Sequence, residues 1–507
     1  MLLHKKFIES VKKMGEKTAI FDQAIGKDIS YKRMLIAVII LSRKFKRFPE
    51  EHIGVMLPTS AGCMIAFMAL LMRGKIPVMI NYSTGAYNNC LYAQEKCNFT
   101  TIITSSKLLN KINCDVVKGM IFLEDIMKGL KPLEKVFAAM TAMLPTGAIT
   151  RRGSPEDTAA ILFTSGSEKD PKAVQLSHKN LSHNISSVID AGKIVSSDIF
   201  LGNLPLFHVF GLTVTFLLPI FRQCSIVAHA NPLDYKAITS SIRKYKVTVM
   251  VGTPTFFHGY LKKAEKGDFD SVRLAITGAD KLTRQIRDEY LTKHNLELHE
   301  GYGATETSPI VAVNFPGICK YGSVGKPVPG VQVKIVHRET GEILSEGEEG
   351  KILVKGDNVM KGYFDDIEET SMRIRNGWYD TGDMGVLDKD GYLWHRGRLK
   401  RFVKIAGEMV SLVKIESVLE LLLPDETLCC VVDVPNPAKG SDVVAAITTK
   451  KIDTKQIKHR MRKELPSIAI PREFYVLDDL PMMGSGKVNF REVEKICRKL
   501  HFRKKSN

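Results

Sequence analysis

Hydroxyl residues, a glycine and lysines that could gather around an anion follow one another between an apolar run and a helical pattern. Residues 158–163 are apolar and suit a buried strand. Thr164-Ser165-Gly166-Ser167 comes next, then Lys169 and Lys172, and Ser177 opens a helical pattern. A strand feeding a small polar loop and then a helix can cradle phosphate, because backbone N–H groups, hydroxyls and ammonium groups converge on one anion. The common P-loop string, with Gly-Lys-Ser/Thr four residues after a first glycine, does not occur. On its own the tetrapeptide is more often an ordinary solvated turn, so the rest of the chain must decide.

Further stretches carry chemistry-bearing residues in order. They are Leu204-Pro205-Leu206-Phe207-His208, Tyr302-Gly303-Ala304-Thr305-Glu306, and Trp378-Tyr379-Asp380-Thr381-Gly382-Asp383. Gly397-Arg398-Leu399-Lys400-Arg401 then leads to Ala406-Gly407-Glu408, and Gly484-Ser485-Gly486-Lys487 lies near the end. An isolated tail lysine is usually a solvated one; Lys487 differs through its setting, Pro481-x-x-Gly484-x-Gly486-Lys487. In this order and spacing the stretches resemble the adenylate-forming superfamily of acyl-CoA synthetases, luciferases and peptide-synthetase adenylation domains. The resemblance runs over essentially the whole chain.

The resemblance implies ATP and Mg²⁺ as cofactors and an acyl-adenylate as the intermediate. A carboxylate acylates poorly because its leaving group is poor, and adenylation supplies AMP as a better one. Its attack on the α-phosphate brings two anions together, so their charge must be neutralised. By resemblance, Thr164, Ser165, Gly166, Ser167, Lys169 and Lys172 would hold the β- and γ-phosphates. Glu306, with Thr164, would ligate Mg²⁺, a hard cation that prefers oxygen. Thr305 would contact the α-phosphate. Gly278, Ala279, Tyr302 and Gly303 would take the adenine side, with Tyr302 stacking on the base. Asp383 would accept from the ribose hydroxyls, with Arg398 beside it. Lys487 would bridge the substrate carboxylate and the α-phosphate.

The resemblance also implies a small C-terminal domain that rotates about a hinge at Lys400. One orientation presents Lys487; the other brings Gly407 to a tunnel for phosphopantetheine, where a glycine lets a thin arm pass the backbone. Phe207, His208 and Gly252 would line the acyl pocket, although a satisfied core histidine is as good a reading of His208. Phe210, Leu212, Val214 and Phe216 could form a chain-binding tunnel or simply core. One departure stands out: Lys169 occupies a position where the family usually has glycine. It stiffens the loop but adds a charge that could meet pyrophosphate.

Within the superfamily the motifs resemble most the bacterial acyl-acyl-carrier-protein synthetases. These include the synthetase part of 2-acylglycerophosphoethanolamine acyltransferases. That implies a fatty acid as substrate, the phosphopantetheine thiol of acidic acyl carrier protein as acceptor, and a separate acyltransferase downstream. Coenzyme A is the alternative acceptor, and a catalytically decayed acyl-binding or scaffold protein is a third reading. The pattern starts near residue 1, so no acyltransferase domain is expected to precede it.

The bulk properties agree with such a protein without selecting it. The 507 residues suffice for two or more domains. A net charge of +18 points to acidic partners; nucleic acid is not expected among them. Lysines and arginines at 450, 451, 455, 458, 460, 462, 463 and in the tail make the C-terminal part basic, a surface that would steer an acidic carrier, CoA phosphates or anionic lipid. The nine cysteines show no Cys-x-x-Cys and no zinc spacing. They read as reduced thiols of a cytoplasmic protein, with peripheral contact at the inner face of the membrane left open. The apolar runs 53–72 and 204–220 are broken by prolines and polar residues, so neither makes a span of about 20 residues.

The elements that must position the motifs are legible in outline. Helices are expected over 30–46, 61–72 and 283–294, and strands over 53–57, 76–80, 100–104, 247–251, 274–277 and 296–299. That alternation predicts parallel-sheet α/β subdomains, with ligands outside the strands' carboxyl ends. From residue 325 short strands and turns predict a β-rich subdomain. A helix over 413–422, strands over 428–434 and 443–449, and a basic helix over 454–465 predict a small mobile α+β domain. The expected division is 1–397, a hinge at 398–401, and 402–507. A helix over 128–144 could lie on a membrane through Val136, Phe137, Met140 and Met143, but such stripes more often pack in a core or dimer face.

Overall fold

Parallel strands linked by helices build two sheets in the first part of the chain. The computed structural model describes every residue except 151, 165–170, 406–407, 425–426, 437–439, 450–451, 484–487 and 507. Ser165, Gly166, Ser167, Lys169, Gly407 and Lys487 therefore lie outside the described residues. The chain packs as two units, Met1–Val333 with Val354–Tyr379, and Lys334–Leu353 with Asp380–Asn507.

The first unit carries a seven-stranded sheet. Its strands run in the order Gly362–Tyr363, Ala173–Ser177, Thr158–Phe163, Ile76–Met79, His52–Val55, Ile102–Thr104 and Met120–Phe122. Those from Thr158–Phe163 onward pair in parallel. A nine-stranded sheet contains Leu298–Gly303, Leu274–Thr277, Val249–Gly252, Ile199–Gly202, Ser225–Ala228 and Thr18–Asp22 as parallel neighbours. The Lys27–Ser30 strand closes one edge antiparallel, pairing with Thr18–Asp22.

Local sequence explains the helices. Ala61–Arg73 is apolar on nearly every side and buried from Ala61 to Met72 except at Gly62. It is capped by Ser60, and Gly74 ends it at φ 66°. No described helix is long and apolar enough to cross a membrane. The Tyr31–Lys44 helix starts behind Ser30, whose hydroxyl accepts from the Arg33 N–H.

Two sequence expectations are corrected. The phosphate-loop candidate does not run directly into a helix: Ala173–Ser177 is a strand, paired antiparallel with Thr158–Phe163. Alternation in Ala-Val-Gln-Leu-Ser suits a strand, and the helix begins only at His178. The helix expected over 128–144 starts four residues later, at Pro132, and runs to Met143; a separate helix, Leu123–Lys128, precedes it. Pro132 sits at the second helix's start, where its missing N–H costs nothing, and cannot continue the first. That second helix is not core, since only Ala138 is buried.

The Trp378–Leu387 strand, in the second unit from Asp380 on, pairs antiparallel with Leu393–Arg398. A three-stranded sheet of Cys429–Asn436, Gly440–Ile447 and Glu473–Val476 is covered on both faces. Ile415, Leu419, Ile457 and Met461 pack on one side, Val493 and Cys497 on the other.

Candidate active site

Gly252 ends one strand of the nine-stranded sheet, Gly278 follows the end of its neighbour, and Gly301 lies within the next strand. The Gly278 N–H donates to the Gly252 carbonyl at 3.0 Å. A Cβ at Gly278 would stand 3.4 Å from the Gly301 carbonyl oxygen and 3.6 Å from the Phe210 ring. Ala279 follows at φ 71°. Removing side chains at neighbouring carboxyl ends leaves a floor that a flat ligand can approach. Tyr302 is buried and Gly303 exposed, both inside the Leu298–Gly303 strand rather than after it. Gly303 is required by close approach: a Cβ there would meet the Pro309 carbonyl oxygen at 1.9 Å.

The chain then turns through Thr305–Thr307, a short 3₁₀ helix. The Thr307 hydroxyl donates to the Pro309 carbonyl at 2.6 Å, and Asn358 Nδ2 donates to the Thr307 carbonyl at 3.1 Å. This fixed turn leaves Thr305 half-buried and aims Glu306 inward, at 9% exposure. The Tyr363 hydroxyl donates to Glu306 Oε1 at 2.9 Å. Burial, and then the Glu306 carboxylate, push the Tyr363 hydroxyl up, so it stays a donor.

Thr164 and Lys172 stand at the two ends of the loop. The Thr164 N–H donates to the Lys172 carbonyl at 3.0 Å, and the Lys172 N–H donates to Thr164 Oγ1 at 3.1 Å. Lys172 Nζ pairs with Glu369 and lies 5.2 Å from the Tyr363 ring centroid. Arg373 Nε donates to the same Glu369 oxygen at 2.9 Å. Burial alone would raise Glu369, but hydrogen bonds from Lys172 and Arg373 prevail and hold it below its ordinary value. Tyr363 thus spans a lysine at its ring and a carboxylate at its hydroxyl. As oxygen donors of a hard type, buried Glu306 and the Thr164 hydroxyl suit a magnesium ion.

In the second unit Asp383 and Arg398 face each other across the hairpin. Arg398 Nε is 3.6 Å from Asp383 Oδ1, and His395 Nε2 is 3.8 Å from it. Asp383 is buried, while Arg398 is exposed. Lys400 falls in the 3₁₀ turn Leu399–Arg401.

The Phe207 segment lies in the first unit. Phe207 is buried, its ring edge-on to Tyr82 at 4.8 Å, and His208 is half-buried beside it at 4.5 Å. Gly211 opens a π-helix, Gly211–Leu217, and a Cβ there would strike the Pro205 carbonyl at 2.3 Å. Leu212, Val214 and Phe216 are buried core, whereas Phe210 is half-buried and faces Gly278. Tyr363, Glu369 and Arg373 had no place in the sequence reading. They reach the site because 362–363 add a strand beside Ala173–Ser177, a long-range pairing that no local spacing announces.

Comparison with known proteins adds a lineage to this geometry. The AMP-binding enzyme family matches residues 7–364, and the AMP-binding enzyme C-terminal domain matches residues 414–487. The chain is 28% identical to 4-coumarate–CoA ligase 1 of Petroselinum crispum, over 96% of this chain and 92% of that protein. It is also 28% identical to a long-chain-fatty-acid–CoA ligase of Bacillus subtilis, over 95% and 92%. Among solved structures, ATP-bound MatB from Rhodopseudomonas palustris superposes with a TM-score of 0.85 at 26% identity, covering 98% of this chain and 99% of that one.

Proposed function

The chain belongs to the AMP-binding enzyme family, and from that premise we propose that it is an acid–thiol ligase using ATP. A substrate carboxylate oxygen attacks the α-phosphorus and pyrophosphate leaves. A thiolate then attacks the acyl carbon, and AMP leaves with the electron pair of the broken C–O bond. Support comes above all from the Tyr363 bridge: a phosphate-neutralising cation, Lys172, and a buried carboxylate, Glu306, meet on one side chain. Magnesium, when bound, supplies charge neutralisation at the phosphates; Glu306 and Thr164 are the residues that would hold it.

The remaining roles follow the same reading. Ser165, Gly166, Ser167 and Lys169 complete the phosphate loop, and Thr305 contacts the α-phosphate. Gly278, Ala279, Tyr302 and Gly303 bind the adenine side. Asp383 and Arg398 bind ribose. Phe207, His208 and Gly252 line the acyl pocket. Residues 398–401 act as hinge between 1–397 and 402–507, turning Lys487 in for adenylation and Gly407 in for thiol transfer.

The substrate is a fatty acid, in keeping with the Bacillus subtilis relative's name. The acceptor is the phosphopantetheine thiol of an acidic carrier protein, whose product a separate acyltransferase consumes. Exposed Lys455, Arg460, Arg462 and Lys463 on one small domain favour a carrier. Coenzyme A is the second reading, favoured by the names of both relatives. Supplying ATP, Mg²⁺ and fatty acid with either holo-carrier or CoA separates them. Thioester on the carrier supports the first; thioester on CoA alone replaces it with the second; no acyl-adenylate with any acid overturns the ligase. Lys487→Ala is expected to abolish adenylation while sparing thioester formation from supplied acyl-adenylate.

A further inference from the structure

The Pro132–Met143 helix wears its large apolar residues on the outside. Toward the protein it is fastened by polar bonds: Lys44 Nζ to Glu134 at 2.5 Å, and Arg43 to Thr141 Oγ1 at 2.6 Å. Its one buried residue is Ala138. Leu133 is 68% exposed, Val136 and Phe137 56%, Met140 59% and Met143 84%. With 3.6 residues per turn these five fall within an arc of about 120°. Leu144 continues the arc, 47% exposed. A contiguous exposed apolar stripe of this kind marks an interaction surface.

Cations flank it. Exposed Lys128, Lys131 and Lys135 lie at its N-terminal end, and Lys12 Nζ donates to the Leu144 carbonyl at the other, next to exposed Lys13. Glu134 does not oppose them, being paired inward with Lys44. Asp125 is 3.7 Å from Lys128, but both are well exposed and the pair is screened. Beside the stripe is a cavity of about 170 Å³ lined by Ile36, Ile40, Met127 and Leu130, with Arg33 and Lys135.

We infer that this face docks on an anionic phospholipid bilayer. Phe137, Met140, Met143 and Leu133 enter the acyl boundary, and the lysines meet headgroup phosphates. The charge pattern favours lipid over a second copy of the chain, because a two-fold contact would place like-charged lysine clusters around one patch. The inference does not depend on which thiol accepts the acyl group, or on the ligase reading itself.

Vesicle sedimentation tests it with the full chain. Vesicles with about 30% phosphatidylglycerol should bind at least tenfold more protein than phosphatidylcholine alone, each surface lysine contributing roughly fivefold. Phe137→Ser with Met140→Ser should lower binding at least tenfold without moving the melting temperature, because both side chains are already exposed. Lys131→Glu with Lys135→Glu should abolish the preference for anionic vesicles. Failure to sediment with either vesicle, or sedimentation indifferent to both pairs of substitutions, overturns the inference. So does a micromolar dimer by light scattering that Phe137→Ser with Met140→Ser dissolves, which would assign the face to self-association.

Discussion

Tyr363 is the residue on which the candidate site turns. Its hydroxyl has one described acceptor, Glu306 Oε1, and a hydrogen bond to a charged partner is worth about 1.5–3 kcal/mol. Tyr363→Phe should therefore slow adenylation by about tenfold to a hundredfold while leaving the ring under Lys172. ATP–pyrophosphate exchange measured across a magnesium titration checks this, and an unchanged profile would make the hydroxyl merely structural. Gly303→Ala forces a methyl onto the Pro309 carbonyl. It should displace the Thr305–Glu306 turn and lose nearly all exchange activity, where Gly391→Ala, at a half-buried glycine with nothing within 4 Å of its Cβ position, costs only stability.

Elements hold these residues, and the helix starts expected at 30, 61 and 283 fall within one residue of the observed ones. Ser30, Ser60 and Thr283 each begin a helix with a side-chain cap, and Leu274–Thr277 is the strand its apolar run predicts. Pro132 carries the signal that starts the helix four residues later than expected. The direction of the stripe of Val136, Phe137 and Met140 was illegible, because helical period gives a face and not what the face meets. Tyr363 and Glu369 were illegible for another reason: their partners lie about 50 to 200 residues away in sequence.

The His178–Ala191 helix gives a pH test at this scale. His178 Nδ1 accepts from the Leu3 N–H at 3.2 Å. Burial, and then nearby His4, hold His178 down at about 3, and burial holds His229 at about 4. Both bind protons more readily unfolded, so stability is full above about pH 6.5 and falls as pH drops toward those values. By pH 5 His178 alone should cost about 2 kcal/mol. Chemical denaturation at pH 7 and pH 5 reads the loss, and His178→Gln should remove about half of it, leaving the share of His229. Ser177→Ala removes the reciprocal cap with Asn180 and should cost about 1 kcal/mol at either pH.

For the molecule as a whole, charge sets the expected behaviour with its acceptor. A surplus of +18, with Lys455, Arg460, Arg462 and Lys463 exposed, would make binding of the proposed carrier salt-sensitive. Raising salt from about 0.05 M to about 0.5 M should lift the KM for carrier at least tenfold while barely altering pyrophosphate exchange. Lys455→Glu with Arg462→Glu should mimic high salt at low salt. A KM that ignores both changes would leave the basic surface without a role in transfer.

The Thr18–Asp22 strand also sets a schedule. Ile20 pairs with Ile226, and Tyr31 donates to the Cys224 carbonyl. The Thr18–Asp22 and Lys27–Ser30 hairpin thus lacks its parallel sheet neighbour until residues some 200 positions later have been made. At about 5–20 residues per second that is roughly 10–40 s on the ribosome. Through that interval the Thr18–Asp22 strand, with Ala19 and Ile20 fully buried in the finished fold, keeps one edge unpaired. Synthesis speed and chaperone supply should govern the yield of this protein more than its final stability does, and slowing translation early in the chain should lengthen the exposure that favours aggregation.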